Sequence, residues 1–205
     1  MGPKGRRARR LFTRLTGGAL LAIGMWGTTA AAEVRNYLKV PGPVTFSGET
    51  FDLVWSSQPS ATYTKQEYLP AGQTVDQYDR MILIEFIQGE LAVADAVGAQ
   101  LQAIDGRKGT DPVVNRSVIT NEKTGEMLLD FLISSKDEKG EFMIEWNAYR
   151  YARASADGKP GIALYAISHR AYGNENARAF LETLKELRPR QIEALAQAEM
   201  PIAAQ

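Results

Sequence analysis

The fold is decided by one stretch of the chain, FMIEWNAYRYARASADGKPGIALYAISHRAY, residues 142–172. Apolar residues alternate in its first part and put Phe142, Ile144 and Trp146 on one face, and this period of two predicts a strand over 142–154. Residues 156–161 have the composition of a turn, and residues 162–172 form a second predicted strand. Two long strands joined by a short turn predict an antiparallel pair.

Further strands are predicted on the N-terminal side of this pair. They cover residues 51–55, 62–69, 81–87, 113–120 and 126–134. Short polar turns separate the last of them from one another and from residue 142, which predicts a meander. In the first of them, alternation predicts that Phe51, Leu53 and Trp55 share one face. From these seven candidates we predict an antiparallel sheet of about six strands.

Two main helices are predicted to cover this sheet. Residues 90–104 place apolar side chains on one helical face, and Gly106 follows as a stop. Asn174 is predicted to cap the second helix, and Pro189 to break or restart it. The apolar face of this second helix contains Ala177, Phe180, Leu181, Leu184 and Leu187. A short helix is also predicted to begin at Thr74. Because strands and helices are grouped rather than alternating, we predict an α+β fold.

The chain is predicted to divide into four segments. Residues 1–32 form a secretory signal peptide, because a basic start is followed by an apolar stretch and by small residues at a cleavage site. Residues 33–50 are an irregular lead-in, and residues 51–198 are a single α+β domain. Residues 199–205 are predicted to form a flexible tail.

Removal of the signal peptide changes the charge of the protein. The full chain has 24 Lys and Arg residues and 24 Asp and Glu residues. Six of the basic residues and none of the acidic ones lie in residues 1–32, which leaves 18 basic residues against 24 acidic ones, a net charge of −6. An acidic protein has no electrostatic drive toward nucleic acid or anionic lipid. Neither is expected as a partner.

The predicted compartment is the periplasm. The chain has no Cys, which excludes disulfides and a lipid-modified cysteine. Retention of the signal peptide as a membrane anchor is an alternative, although Gly and Thr residues interrupt its apolar run. Arg9-Arg10-Leu11-Phe12 partly matches the twin-arginine export motif. Both the general secretory route and the twin-arginine route therefore stay open.

Residues 66–74, QEYLPAGQT, followed by Tyr78 and Met81, resemble a phrase found in small exported bacterial proteins of unknown role. The order of elements between residues 51 and 187 resembles the PsbP-like α/β/α sandwich. That fold has mostly non-catalytic assembly and binding roles, and the resemblance implies such a role here. No catalytic residue is carried over with it.

Sequence motifs for catalysis and for cofactors are missing. One His, His169, and no Cys are too few ligands for a zinc site. No Gly-rich phosphate loop is present. Ser168 and His169 are neighbours on a predicted strand, so their side chains point to opposite faces and cannot form a nucleophile–base pair. We predict no metal and no cofactor.

Acidic residues in the predicted strands are the other candidates for chemistry. They are Glu67, Glu85, Asp130 and Glu145. Glycoside hydrolysis needs two such carboxyl groups about 5–9.5 Å apart in a cleft. Because these four alternate with apolar neighbours, we expect them on a solvated face of the sheet.

The most distinctive cluster is aromatic and basic, and it lies on the two strands of residues 142–172. Its candidate binding residues are Tyr149, Tyr151, Arg153, Tyr165, His169 and Arg170. If the strands pair through a turn near Asp157-Gly158, residues 149, 151 and 153 are expected to share a face with residues 165 and 169. Tyr and Arg are enriched at binding hot spots. The alternative is ordinary cross-strand packing.

These observations favour a non-catalytic periplasmic protein that binds a protein partner in the cell envelope through this aromatic-basic strand pair. A carrier of a small apolar or amphipathic ligand, held in a cleft between sheet and helix, is the second hypothesis. An apolar pocket of roughly 300–1,000 Å³ would favour the carrier. A hydrolase is the third hypothesis, and it requires His169 or paired carboxylates in a cleft with perturbed acidity.

Overall fold

A computed structural model describes residues 34–202. Eight strands form one antiparallel sheet, in the spatial order β1-β2-β3-β4-β8-β7-β6-β5, which curls into a half-barrel. The strands are β1 (Val44–Phe46), β2 (Glu49–Ser60), β3 (Tyr63–Leu69), β4 (Arg80–Gln88), β5 (Asn115–Thr120), β6 (Met127–Lys136), β7 (Phe142–Ala156) and β8 (Lys159–Tyr172). The α+β class is therefore confirmed, with eight strands rather than about six.

The two helices, α1 (Val93–Asp105) and α2 (Asn174–Gln197), pack on opposite faces of the sheet. The face under α2, which we call the α2 face, carries the buried side chains of Trp146, Ala148, Tyr165 and Ile167. The face under α1, which we call the α1 face, carries Leu129, Phe131, Tyr151 and Leu164. Each helix buries its apolar side against one of these two cores.

The β7–β8 hairpin at the centre of the sheet is closed by a two-residue turn. Asp157 and Gly158 both have positive φ, 51° and 73°, as a type I′ turn requires. The prediction of two long antiparallel strands is confirmed. The pairing runs from Ala156 opposite Lys159 to Met143 opposite Tyr172.

Hydrogen bonds tie α2 to the sheet along its length. Arg188 of α2 donates through Nε to Asp130 of β6 at 2.8 Å. Arg150 of β7 donates to the carbonyl oxygens of Leu195 and Ala198, at 3.0 and 2.7 Å. These contacts lie on both sides of Pro189, and α2 continues through that residue as one helix. The expected break at Pro189 is therefore wrong.

The N-terminal part of the fold contains the other differences from prediction. Val44–Phe46 forms β1, so the expected irregular lead-in includes a strand. No helix begins at Thr74, because Thr74 and Gln77 pair as an isolated bridge and Gln73 accepts a hydrogen bond from the Asp79 amide at 2.9 Å. Ile202 is buried in the α2-face core, so the expected tail is packed at least to this residue.

A β-bulge in β2 changes the face of Trp55. Leu53 lies opposite Tyr68, whereas Trp55 lies opposite Glu67, so Val54 is an extra residue in the ladder. An extra residue moves every following side chain to the other face. Phe51 and Leu53 belong to the α2 face, but Trp55 belongs to the α1 face. The prediction that all three share one face is wrong.

The predicted signal peptide, residues 1–32, lies outside the described residues. Within residues 34–202, no helix has the length and the apolar character needed to cross a membrane.

Candidate functional site

The register of the β7–β8 hairpin divides the predicted aromatic-basic cluster between two faces. Tyr149 lies opposite Ala166, and Arg150 lies opposite Tyr165. Since residues that face each other across an antiparallel pair share a side of the sheet, Tyr165 and His169 lie on the α2 face. The remaining members lie on the α1 face: Tyr149, Tyr151, Arg153 and Arg170. The prediction of a single surface is therefore wrong, because the register of the two strands differs by one residue from the expected one.

Most of the cluster on the α1 face is engaged inside the protein. Burial raises the pKa of Tyr149 well above its ordinary value, and the pKa of Tyr151 is raised for the same reason. Arg170 donates to the Glu145 carboxylate, and its guanidinium lies 4.1 Å from the centre of the Tyr78 ring. Arg153 is exposed. These side chains mainly pack and hydrogen-bond within the fold rather than form a shared binding surface.

The acidic residues of the strands are not on a solvated face. Glu67, Asp130 and Glu145 are buried. Lys65 is the partner of Glu67, with Nζ 3.2 Å from Oε1, and it also lies 3.8 Å from Glu85. Burial raises the pKa of Glu85, and the Lys65 ammonium opposes that rise. The expectation of solvated carboxylates is wrong, because each of the four is engaged by a basic side chain.

His169 packs against the buried Trp146 on the α2 face, with ring centroids 5.7 Å apart. Burial lowers the pKa of its imidazole to about 4, and the positive charge of Arg80 adds to the effect. The Nε2 atom is buried and has no hydrogen-bond partner. Ser168 points to the opposite face and donates to Asn147 at 2.5 Å. As predicted, the side chains of Ser168 and His169 lie on opposite faces of the sheet.

We expect acid to destabilise the protein through His169. In the unfolded chain the imidazole takes up a proton near pH 6.5, whereas in the fold it does so only near pH 4. The unfolded state therefore gains protons first as the pH falls, and the free energy of unfolding decreases. Between pH 7 and pH 5 the decrease is about 2 kcal/mol. Urea unfolding of the wild type and of His169→Phe at both pH values measures it, and an equal pH dependence in the two proteins would contradict it.

An open apolar cleft lies between the first turns of α2 and the sheet. Its volume is about 570 Å³. Alternation in β7 turns Phe142 and Ile144 toward α2, and the four-residue spacing of Ala177 and Leu181 places both on the facing side of the helix. Val113 also lines the cleft. The floor and walls are therefore hydrocarbon.

Charged groups stand at this cleft without closing it. Lys136 and Arg178 both line it, and Lys136 Nζ lies 4.7 Å from the centre of the Phe142 ring. Arg178 contacts Glu182 at 3.4 Å, and both side chains are largely exposed. Two cations and one carboxylate thus stand at the border of an apolar cleft.

The start of α2 is fixed to the sheet at the end of this cleft. The Phe142 amide donates to Asn174 Oδ1 at 3.0 Å, and the Asn174 amide donates to Glu141 Oε2 at 2.7 Å. Asn174 is the first residue of the helix and Gly173 is the N-cap, so the predicted capping role of Asn174 is wrong. The side chain of Asn174 instead links the helix to β7 at the end of the cleft.

Within residues 34–202, no group of three or more His, Asp or Glu side chains is arranged to hold a metal ion.

Comparison with known proteins gives one match. Residues 38–200 match the model of a protein family of unknown function. The chain belongs to this family. No curated protein and no solved structure matches it. The comparisons show no PsbP-like resemblance, so the roles of that fold are not carried over to this family member.

The carrier hypothesis from the sequence includes a cleft between sheet and helix, but sequence reasoning did not identify the residues that line it. Leu181 was assigned to the apolar face of the second helix, yet 37% of its surface is exposed. This exposure indicates that the sheet does not cover the whole apolar face of α2. Because periodicity gives the width of an apolar face but not the extent of the surface under it, only the structure separates a cleft from a core.

Proposed function

We propose that the protein is an exported carrier of a small amphipathic ligand, which it holds in the cleft between α2 and β7. The observation that carries this proposal is the apolar cleft of about 570 Å³, which lies within the size range of small-molecule sites. We prefer this role to binding a protein partner, because the aromatic-basic cluster is divided between two faces of the sheet. The periplasm, reached through residues 1–32, is the proposed compartment.

The ligand class that fits the cleft is an alkyl chain with an anionic head group. Phe142, Ile144 and Leu181 supply hydrocarbon for the chain. Arg178 and Glu182 form an exposed pair of the kind that contributes little free energy. A carboxylate ligand therefore competes readily for the Arg178 guanidinium, with Lys136 as a second cation. The excess of one positive charge among these three groups favours an anion.

Leu181→Glu is expected to abolish binding of such a ligand, because it places a carboxylate in the hydrocarbon part of the cleft, where it opposes both the alkyl chain and the anionic head group. Decanoate is the probe, with decanol and decyltrimethylammonium as neutral and cationic molecules of the same chain length. Isothermal titration calorimetry measures each dissociation constant. We expect decanoate to bind the wild type at least about tenfold more tightly than decyltrimethylammonium, since a charged hydrogen bond contributes about 1.5–3 kcal/mol.

The matched control is Ile119→Glu, which makes the same kind of change at the other exposed large apolar residue of the described chain. Ile119 lies on β5 and does not line the cleft. Ile119→Glu is expected to bind decanoate like the wild type. Failure of the wild type to bind decanoate, or equal binding by the two variants, would reject this site.

A further inference from the structure

A second cavity lies under the other half of α2. Its volume is about 610 Å³, it is open to solvent on one side, and it is lined by the β1–β2 hairpin, the ends of β4 and β8, and the helix. Leu187 and Gln191 of α2 face Ile167 and His169 of β8 across it. It shares no lining residue with the apolar cleft. It is therefore a separate candidate site with walls of different chemistry.

Two polar atoms at this cavity lack the hydrogen bonds that buried atoms normally have. His169 Nε2 and Gln191 Oε1 are both buried, and neither has a hydrogen-bond partner. Leaving such an atom unpaired costs about 1–3 kcal/mol. Both residues line the same cavity, one from β8 and the other from α2. As the fold stands neither atom is exposed to the cavity, so one molecule would reach both only after each side chain turns about its terminal torsion.

The two charged side chains that line the cavity, Arg80 and Glu49, form an ion pair, and this balance favours a neutral ligand. Arg80 is the cation there, and its guanidinium is held by Glu49 at 2.9 Å and by Asp79 at 3.2 Å. Two carboxylates thus compensate one guanidinium before any ligand binds. His169 carries no charge at neutral pH, since its pKa lies near 4. An anion would find no uncompensated positive charge in this cavity.

The remaining walls favour an apolar body on the ligand. Phe46 and Phe51 enter from the β1–β2 hairpin, and Ile167 and Leu187 face them. Ser47, Glu49 and Thr50 also line the cavity, so polar groups share its walls with these apolar side chains. The matching polar group both donates to the Gln191 oxygen and accepts a hydrogen bond from neutral imidazole. A hydroxyl group does both.

We propose that this second cavity binds a small neutral molecule that carries a hydroxyl group on an apolar body, with the hydroxyl between His169 Nε2 and Gln191 Oε1. In the complex, rotation about the terminal torsion of each side chain turns these atoms toward the ligand. Such torsions have broad energy minima, so the rotation is easy. This inference does not depend on the function proposed for the apolar cleft.

Three probes of similar size test the proposal: phenol, toluene and benzoate. His169 is the one His of the chain, so its imidazole resonances in a ¹H–¹⁵N spectrum report on this cavity alone. Phenol is expected to shift them in a saturable way. Its dissociation constant is expected to be about tenfold or more below those of toluene and benzoate, because one satisfied polar atom accounts for such a factor. No shift with phenol, or equal binding of phenol and toluene, would overturn the proposal.

Gln191→Leu removes one of the two polar atoms and replaces glutamine with an apolar side chain of similar size. It is expected to reduce the preference for phenol over toluene to less than about threefold. Gln197→Leu is the control, since Gln197 is an exposed residue of the same helix and lies outside the cavity. Circular dichroism verifies that both variants fold. If both variants prefer phenol over toluene to the same extent, Gln191 does not contact the ligand and the proposed geometry is wrong.

Discussion

Gly161→Ala is expected to destabilise the protein by about 3 kcal/mol, although it adds a single methyl group. At this position of β8 the backbone of β4 lies directly alongside. A Cβ atom would overlap the carbonyl oxygen of Ile87 and would lie 2.6 Å from Cζ of Phe86. The main-chain oxygen belongs to the central ladder and cannot move without breaking strand pairing. For a domain of this size, thermal unfolding should begin about 6–12 °C lower.

Gly98→Ala is the matched control for this prediction. Gly98 lies in the interior of α1, it is exposed, and an added Cβ would meet nothing within 4 Å. Alanine favours helix over glycine by about 0.5–1 kcal/mol, so this variant should be slightly more stable than the wild type. If the sheet is packed as described, calorimetry shows a lower melting temperature than the wild type for Gly161→Ala and a higher one for Gly98→Ala. A Gly161→Ala protein as stable as the wild type would contradict the close approach of β4 and β8.

Asp130→Ala is expected to cost about 3–5 kcal/mol, because it removes the acceptor of a buried polar network. Asp130 is 2% exposed. Its carboxylate accepts hydrogen bonds from Trp146 Nε1 at 2.7 Å, from Ser117 Oγ at 3.0 Å and from the Arg188 guanidinium at 2.8 Å. The variant leaves the indole N–H without an acceptor and the guanidinium without a counter-charge. It also releases α2 from β6. Urea unfolding measures the loss.

Glu182→Ala is the comparison, since it removes the carboxylate partner of another arginine of α2. The Arg178–Glu182 pair is exposed, so its loss should change the free energy of unfolding by no more than about 0.5 kcal/mol. The double variant Asp130→Ala with Arg188→Ala should recover part of the loss, because no unpaired guanidinium remains. A cost below about 1 kcal/mol for Asp130→Ala would contradict the buried network.

Local sequence signals predicted the centre of the fold correctly. The β7–β8 hairpin follows from alternation on both sides of Asp157-Gly158, whose positive φ angles suit a two-residue turn. Both helices follow from apolar residues at helical spacing. These features depend on residues close together in the chain, which is why a single sequence contains them.

Features that depend on register were not predictable in the same way. The sequence predicts a turn over residues 156–161, whereas the turn has only two central residues. The register of the β7–β8 pair therefore differs by one residue from the expected one, which places Tyr165 on the opposite face from Tyr149. No sequence pattern predicts the bulge at Val54, which places Trp55 on the opposite face from Leu53. The faces of side chains are therefore the part of the prediction that failed.

The candidate sites depend on contacts between distant segments. His169 was a predicted binding residue, but its cavity needs Gln191 of α2 and the β1–β2 hairpin, which no local pattern relates to it. The apolar cleft lies between α2 and β7, which the Asn174 side chain links at the end of the cleft. Alternation and helical periodicity predict which residues form each wall. The space between the walls depends on tertiary contacts, which these patterns do not contain.

The half-barrel leaves two open edges, and each is poorly suited to pairing with a strand from another molecule. β1 covers only Glu49–Phe51 of one edge, and the rest of that edge is β2, whose ladder is interrupted by the bulge at Val54. β5 forms the other with six residues, and its Arg116 is tied to Asp105 of α1 by hydrogen bonds of 3.0 and 2.8 Å. Short edges and charged side chains are common protections of natural sheets against edge-to-edge aggregation. The order of the strands therefore places the long central ones, β7 and β8, where neighbours on both sides satisfy their backbone.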